Sequence, residues 1–505
     1  MHATFKFPIM FILFVVSGAL ASTEHEEKPP NILFIMSDDH AWQAISAYGS
    51  NRNVTPNIDR IADEGLVFDR YFVENSICAP SRAAILTGTF SHLHGIPTNA
   101  EEFDGTQPTF PAIAREAGYQ TALVGKWHLK TEPVGFDYYE RLVGQGPYYR
   151  PNMVRNGEKV VHDGYTTEVI TDLAVDWLEE ERDPEKPFVL MVQHKAPHRN
   201  WMPGGAHIDD LVDSDLPEPD TLFDDYAGRG TASTMQEMTI RDHLSKADLK
   251  LEMPEWMMRM TEEERATWDA AYRPRNEAFE AMDLEGDDLI RWKYQRYAKD
   301  YLRCIASVDD SVGVLLDAID ELGLAEDTVV IYTSDQGWYL GEHGWYDKRW
   351  MYEESFRTPM MVRWPGVIEP GRRTELLTQN IDLAPTFLEI VGAQSPDRMQ
   401  GESLVPILTA SSDEEVEDIG WRDALYYRYY ESNGPHTVPK HQGVRTRRWK
   451  LIDFHEIGEV EMYDLENDPD EMRSIADDPE YASVRNRLES LLVELREEYD
   501  VPDDD

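Results

Sequence analysis

The chain has 505 residues, ordinary hydrophobic content and no excess of Gly or Pro, so it is long enough for one large core plus a smaller unit and is neither disordered nor fibrous. Its 96 acidic residues against 48 basic ones give a net charge of −48, which excludes nucleic acid as a natural partner. Such a surface resists aggregation and suits saline surroundings, where repulsion is screened.

The first segment reads as an export signal over residues 1–21. Lys6 precedes a mostly apolar run at 7–16, and Ala19-Leu20-Ala21 follows as a small-x-small cleavage pattern. The run is too short to cross a bilayer. A periplasmic or secreted protein without a membrane anchor is therefore expected. With only two cysteines, Cys78 and Cys304, at most one disulfide is available. Cys304 lies in a helix-like run and reads as a small buried residue.

Further along, short apolar runs alternate with helical stretches. NILFIMS (31–37) is apolar almost throughout, as a strand buried on both faces requires. TPNIDRIADEG (55–65) carries Thr55 as a helix cap, Pro56 at the first helical position and Gly65 as a stop. TFPAIAREAG (109–118) and YQTALVGK (119–126) repeat helix then strand, and PFVLMVQH (187–194) and TVVIYTSD (328–335) are further core strands. The alternation predicts an α/β fold, a mainly parallel sheet sandwiched by helices, over residues 22–410. Residues 202–289 break the pattern; they are acidic and rich in Met and Pro, an insertion suited to shaping a pocket. SSDEEVED (411–418) reads as a linker into a second unit, 411–505, with short antiparallel strands and an amphipathic helix over 480–499.

The polar residues of interest follow the apolar runs, where parallel sheets gather their sites. Asp38 and Asp39 end the first strand; Asp335 and Gln336 end a strand nearly three hundred residues later. Oxygen ligands of this kind suit a hard cation, Ca²⁺ or Mg²⁺. Taken singly, each pair also fits solvated loop acids. GKWHL places Lys126 and His128 after a strand, HKAPHRNW places His194, Lys195 and His198 after another, and Lys348 follows the Asp335 pair. With Arg82 these groups form a cationic ring fit for phosphate or sulfate.

The run CAPSRAAILTG (78–88) resembles the signature of the type I sulfatases, within the alkaline phosphatase superfamily: Cys-x-Pro-Ser-Arg followed by Leu-Thr-Gly. The order of SDDH, GKWHL, APH, SDQG and GEHG extends the resemblance over nearly the whole chain. It implies an alkaline-phosphatase-like fold and oxidation of Cys78 to Cα-formylglycine by a maturation enzyme that reads Pro80 and Arg82. The hydrated aldehyde would attack sulfur through one hydroxyl and expel sulfate through the other, a release that serine lacks. By the same resemblance, Asp38, Asp39, Asp335 and Gln336, with position 78, would ligate one Ca²⁺. Arg82 would hold the diol, Lys126 and Lys348 would bind sulfate oxygens, His128 would be the base, and His198 the acid. Gln336 departs from the Asn of many relatives.

The motifs around Lys195 and Lys348 look most like sulfatases of sulfated polysaccharides, including those similar to N-acetylglucosamine-6-sulfatases, which implies exo-acting O-desulfation of a glycan. RTRRWK (445–450), with His436 and His441, is a candidate lining for the sugar, and equally a strand with solvated arginines. Three other readings stay open: a phosphonate or phosphate ester hydrolase of the same superfamily, an arylsulfatase or choline sulfatase, and a secreted glycan-binding protein with a dead site.

Overall fold

The computed structural model describes residues 29–432 and 434–503. The export signal expected over 1–21 lies outside them. No helix among the described residues is long and apolar enough to cross a membrane.

Ten strands form the central sheet. Its order is Arg372–Thr374, Leu66–Phe68, Met360–Arg363, Thr328–Ser334, Asn31–Asp38, Phe188–Pro197, Gln120–Gly125, Tyr138–Leu142, Asn152–Arg155 and Glu158–Val161. The five strands from Thr328–Ser334 to Tyr138–Leu142 run parallel, and antiparallel pairs occur only towards the edges. Asn31–Asp38 is buried at every position, which explains its lack of apolar/polar alternation: both faces are covered. Helix Gly286–Glu321 carries Cys304, fully buried, as the sequence implies.

Helix Pro56–Asp63 starts on Pro56, but Thr55 makes no capping bond to a helix N–H; its hydroxyl donates to Asp59 at 3.2 Å instead. Gly65 matters for close approach, since a Cβ there would sit 2.1 Å from the Val362 carbonyl oxygen.

The insertion carries helix Glu262–Met282, opened by a Thr261–Glu264 capping box. The second unit is a four-stranded antiparallel sheet, Ala424–Tyr429, His441–Thr446, Trp449–Phe454 and Glu459–Asp464, backed by helix Ala482–Glu498. Two details differ from expectation. SSDEEVED is no bare linker: Asp413–Glu417 is a short helix, capped by Ser412 and anchored by buried Val416. The basic RTRRWK stretch turns a hairpin and does not line a sugar site. Arg445 and Lys450 are buried against Glu353 at 3.2 and 2.9 Å, and Lys450 also meets Glu471 at 2.7 Å. Arg447 pairs with Glu417, and Arg448 with Asp464. These cations are spent on folding.

Candidate active site

Four adjacent parallel strands deliver the site. Thr328–Ser334 is followed by Asp335 and Gln336, Asn31–Asp38 ends in Asp38 and runs into Asp39, Phe188–Pro197 leads to His198, and Gln120–Gly125 leads to Lys126 and His128. Ser37 stands opposite Ser334 in register, so the two acidic pairs leave the sheet side by side. Oxygens of Asp38, Asp39 and Asp335 lie within 4.8 Å of one another. The turn after Gln120–Gly125 depends on Gly125, whose φ is +109° and where a Cβ would lie 2.0 Å from the Gln193 carbonyl oxygen.

Cys78 enters this cluster as the first residue of the fully buried helix Cys78–Thr87. Its thiol donates to Asp38 Oδ1 at 3.3 Å, Lys348 Nζ approaches the sulfur to 3.1 Å, and Gln336 Nε2 lies 3.6 Å from it. A helix N-terminus directs its dipole and free N–H groups at an anion. Burial pushes the thiol up to about 12, although Lys348 pulls the other way. At neutral pH the unmodified residue is therefore a protonated thiol and a poor nucleophile.

Lys126 Nζ binds Asp38 and Lys348 Nζ binds Asp39. Arg82 donates from Nε and a terminal nitrogen to Asp335 Oδ2 at 3.1 and 2.9 Å, and its other terminal nitrogen reaches the Lys126 carbonyl at 2.9 Å and Gln193 Oε1 at 2.6 Å. Its hydrogen bonds thus orient Asp335 and tie two strand ends together. His198 Nδ1 lies 2.8 Å from the Arg199 carbonyl, which fixes that nitrogen as the donor, and leaves Nε2 3.8 Å from Asp39 Oδ2. Desolvation, then Lys126, Lys195 and Lys348, hold His198 well below its ordinary value. His128 is lowered in the same way, by burial and then by Lys126, Arg82, Lys348 and Lys195. Both rings are neutral near pH 7.

The oxygen donors fit a hard cation. Asp39 Oδ2 and Gln336 Oε1 are buried without any hydrogen-bond partner. Burial raises the Asp39 carboxyl against the pull of Lys348. Three carboxylates packed this tightly favour a divalent ion among them. Asp38, Asp39, Asp335 and Gln336 are the residues that would hold it.

The fold thus brings Asp38, Asp39, Cys78, Arg82, Lys126, His198, Asp335, Gln336 and Lys348 together, with the charges of Lys126, Arg82 and Lys348 acting on His128, and adds other residues. His194, expected in the same ring, is instead held in the core, 2.9 Å from Ser311 Oγ. Tyr301, from the long helix, donates to the Asp39 carbonyl at 2.5 Å and accepts from Ala41 N at 2.7 Å, fixing the loop that carries the acidic pair. The Trp338 ring lies 5.5 Å beneath Lys348 Nζ. Gln193 anchors Arg82. Asp347, next to Lys348, has a φ of +82° and accepts from Arg349 Nε at 3.1 Å, with His436 Nε2 also at 3.1 Å. Burial alone would raise this carboxyl, but His436 and then Arg349 hold it well below the usual range. Of the sequence signals here, only the WYDKRW run pointed near Asp347. His436 does reach the site through Asp347, whereas His441 is buried among Tyr427, Tyr429, Trp350 and Phe454.

The sulfatase family model matches residues 30–393, and a model described as N-sulphoglucosamine sulphohydrolase, C-terminal, matches 341–498. The chain belongs to the sulfatase family. An N-acetylglucosamine-6-O-sulfatase of Bacteroides thetaiotaomicron is 45% identical, over 99% of this chain and 92% of that one. The human N-acetylglucosamine-6-sulfatase is 27% identical, over 93% of this chain and 85% of that one. A solved structure of a protein in complex with its substrate, D-glucosamine-2-N,6-O-disulfate, superposes with a TM-score of 0.90 at 45% identity, covering 94% of this chain and 99% of that one. A phosphonate monoester hydrolase from Silicibacter pomeroyi shares the fold at 22% identity and a TM-score of 0.68, covering 92% of this chain and 95% of that one. This sulfatase is therefore a sulfuric ester hydrolase on an alkaline-phosphatase-like scaffold.

Proposed function

We propose that this sulfatase is exported, matured at Cys78 to Cα-formylglycine by a separate enzyme, and Ca²⁺-dependent, and that it removes the 6-O-sulfate from terminal glucosamine residues of sulfated glycans. The observation that carries the reading is the seat of Cys78: the first residue of a buried helix, against Asp38, Gln336 and Lys348 at once. A residue so placed reaches the same point in space as the oxygen cluster and the sulfate-binding cations. The substrate reading is supported by the 45% identical relative over nearly full length.

As formylglycine, position 78 supplies a hydrated aldehyde, one hydroxyl of which takes the sulfuryl group while the other allows its release. Asp38, Asp39, Asp335 and Gln336 would hold a divalent cation, which would supply Lewis-acid polarisation when bound. Lys126 and Lys348 orient the sulfate oxygens, and their charge offsets that of the ester. Arg82 fixes Asp335, so the carboxylate keeps one geometry throughout. Neutral His128, with its buried Nδ1 free of any partner, is equipped to take a proton. His198 presents Nε2 to the site; burial and then the lysines depress its basicity, and an anionic ester offsets the lysines, which favours the ring carrying the proton delivered to the departing alcohol. Exo action is supported by the depth of the nucleophile: Cys78, Lys126 and Lys348 are all at most 2% exposed, a setting that suits a sulfate carried on a chain end.

The test is sulfate release by the matured protein from N-acetylglucosamine 6-sulfate, its 3-sulfate isomer, a phosphate monoester, and a polymer with interior 6-sulfates. The account expects rapid release from the first alone, with the polymer losing sulfate only at chain ends. Preference for the phosphate ester, or equal release from both isomers, overturns it.

A further inference from the structure

A cavity of about 390 Å³ opens beside His198, on the side where the alcohol would leave. Its lining includes Tyr148, Lys195, His198, Trp256, Met257 and Arg259. The insertion supplies the last three, so it does wall the site. Two features of this cavity are unexplained by sulfate hydrolysis.

The first is Lys195. Five lysines are buried among the described residues: Lys126, Lys195, Lys250, Lys348 and Lys450. Four of them pair with a carboxylate, respectively Asp38, Asp300, Asp39 and Glu353. Lys195 is 5% exposed and lies over the Tyr148 ring, 4.7 Å from Nζ; among the described residues no carboxylate comes within ion-pair distance of it, and Asp39 acts on its charge only at longer range. In a chain with twice as many acids as bases, this buried ammonium group alone among the five has no direct ion pair with a described carboxylate, and it stands at the wall of the cavity. Burying a cation without a direct ion pair costs stability, and binding sites are where such a cost recurs. The second is Trp256, 76% exposed, while every other described Trp, Tyr and Phe is buried or half-buried. Arg259 beside it reaches an amide oxygen, Asn152 Oδ1, at 2.8 Å and has no carboxylate partner.

We propose that this cavity is a leaving-group subsite in which Lys195 binds a second anionic group of the sugar, a sulfate or carboxylate, while Trp256 offers its face to the ring. The inference rests on the glucosamine 6-sulfate reading and deepens it: the preferred substrate is a glucosamine 6-sulfate with a further negative charge on that ring or its neighbour. The ammonium group gains the charged partner it lacks, in a desolvated setting where a charge-assisted bond is strongest.

The experiment compares kcat and KM of matured wild type, Lys195→Met and Lys195→Arg on N-acetylglucosamine 6-sulfate and on glucosamine 2-N,6-O-disulfate, with thermal unfolding recorded for each protein. Lys195→Met also removes a charge that lowers His128 and His198, an effect common to both sugars, so the readout is the ratio: KM for the disulfate should rise on the order of tenfold or more relative to KM for the monosulfate, and Lys195→Arg should recover part of that difference. Trp256→Ala should weaken both substrates by the same factor, because stacking ignores the second charge. An equal loss on both sugars in Lys195→Met would assign Lys195 to the scissile sulfate or to folding, and no loss on either would deny it a role; both outcomes overturn the proposal while leaving the 6-sulfatase reading intact. Wild type that cleaves neither sugar removes that reading, and the inference with it.

Discussion

Cys78 shows why the unmodified residue is a poor reagent for this chemistry. Burial raises its thiol to about 12, so thiolate is scarce at neutral pH even with Lys348 at 3.1 Å. A hydrated aldehyde at the same place needs no such ionisation to enter the cluster. The acidic pairs are its counterpart. Asp39 Oδ2 and Gln336 Oε1 have no partner within the protein, and each fits a cation. Exhaustive chelation is therefore expected to lower kcat by at least about a hundredfold, with recovery on adding Ca²⁺. Asp335→Ala should lose activity that Ca²⁺ does not restore, and it should also release Arg82, so its unfolding temperature should fall. Activity unchanged after chelation would take the cation out of the mechanism. The residues of the signature were legible because they are contiguous. Gln193, Tyr301 and Trp338 were not: each acts by meeting a partner from a distant segment, and nothing local marks it.

At the scale of elements, loops are held in place by backbone contacts as much as by side chains. Gly337 follows the Asp335–Gln336 pair, and a Cβ there would lie 2.1 Å from the Glu354 carbonyl oxygen and 2.3 Å from that of Arg357. Neither neighbour is a flexible side-chain tip. Gly337→Ala is expected to displace the turn, destabilise the protein by about 2 kcal/mol or more, and reduce kcat beyond what partial unfolding explains. Thermal unfolding and kinetics on the same sample check this; full activity with an unshifted unfolding temperature would contradict it. The core strands were readable from their unbroken apolar runs. The basic hairpin was not, because Glu353, Glu471, Glu417 and Asp464, which neutralise it, are scattered in sequence, and a run of arginines looks the same whether paired or free.

For the whole molecule, charge dominates. A net charge of −48 repels itself in the compact state. The unfolding temperature should rise as NaCl increases from about 0.01 M to about 1 M, where the screening length falls to roughly 3 Å. A flat or falling curve would show that the repulsion is already neutralised within the fold. Acid acts in a separate way. His194 and His441 are buried and lowered by that burial from 6.5 to about 3, so the folded protein keeps them neutral where the unfolded chain protonates them. The unfolded state then binds more protons, and stability is lost as pH falls from about 6.5 towards 3. In about 1 M salt, with repulsion screened, the unfolding temperature should fall between about pH 7 and about pH 5, and His194→Gln should make the slope shallower. An unchanged slope in that variant would show that His194 titrates alike in both states.

The most direct measurement sets the mass of the peptide containing Cys78 against specific activity, across preparations matured to different extents. The account predicts that glucosamine 6-sulfatase activity rises in proportion to the fraction of molecules in which the thiol sulfur has been replaced by an aldehyde oxygen, and extrapolates to zero when that fraction is zero. Full turnover by a preparation in which every such peptide still carries its thiol, or by Cys78→Ala, would contradict it.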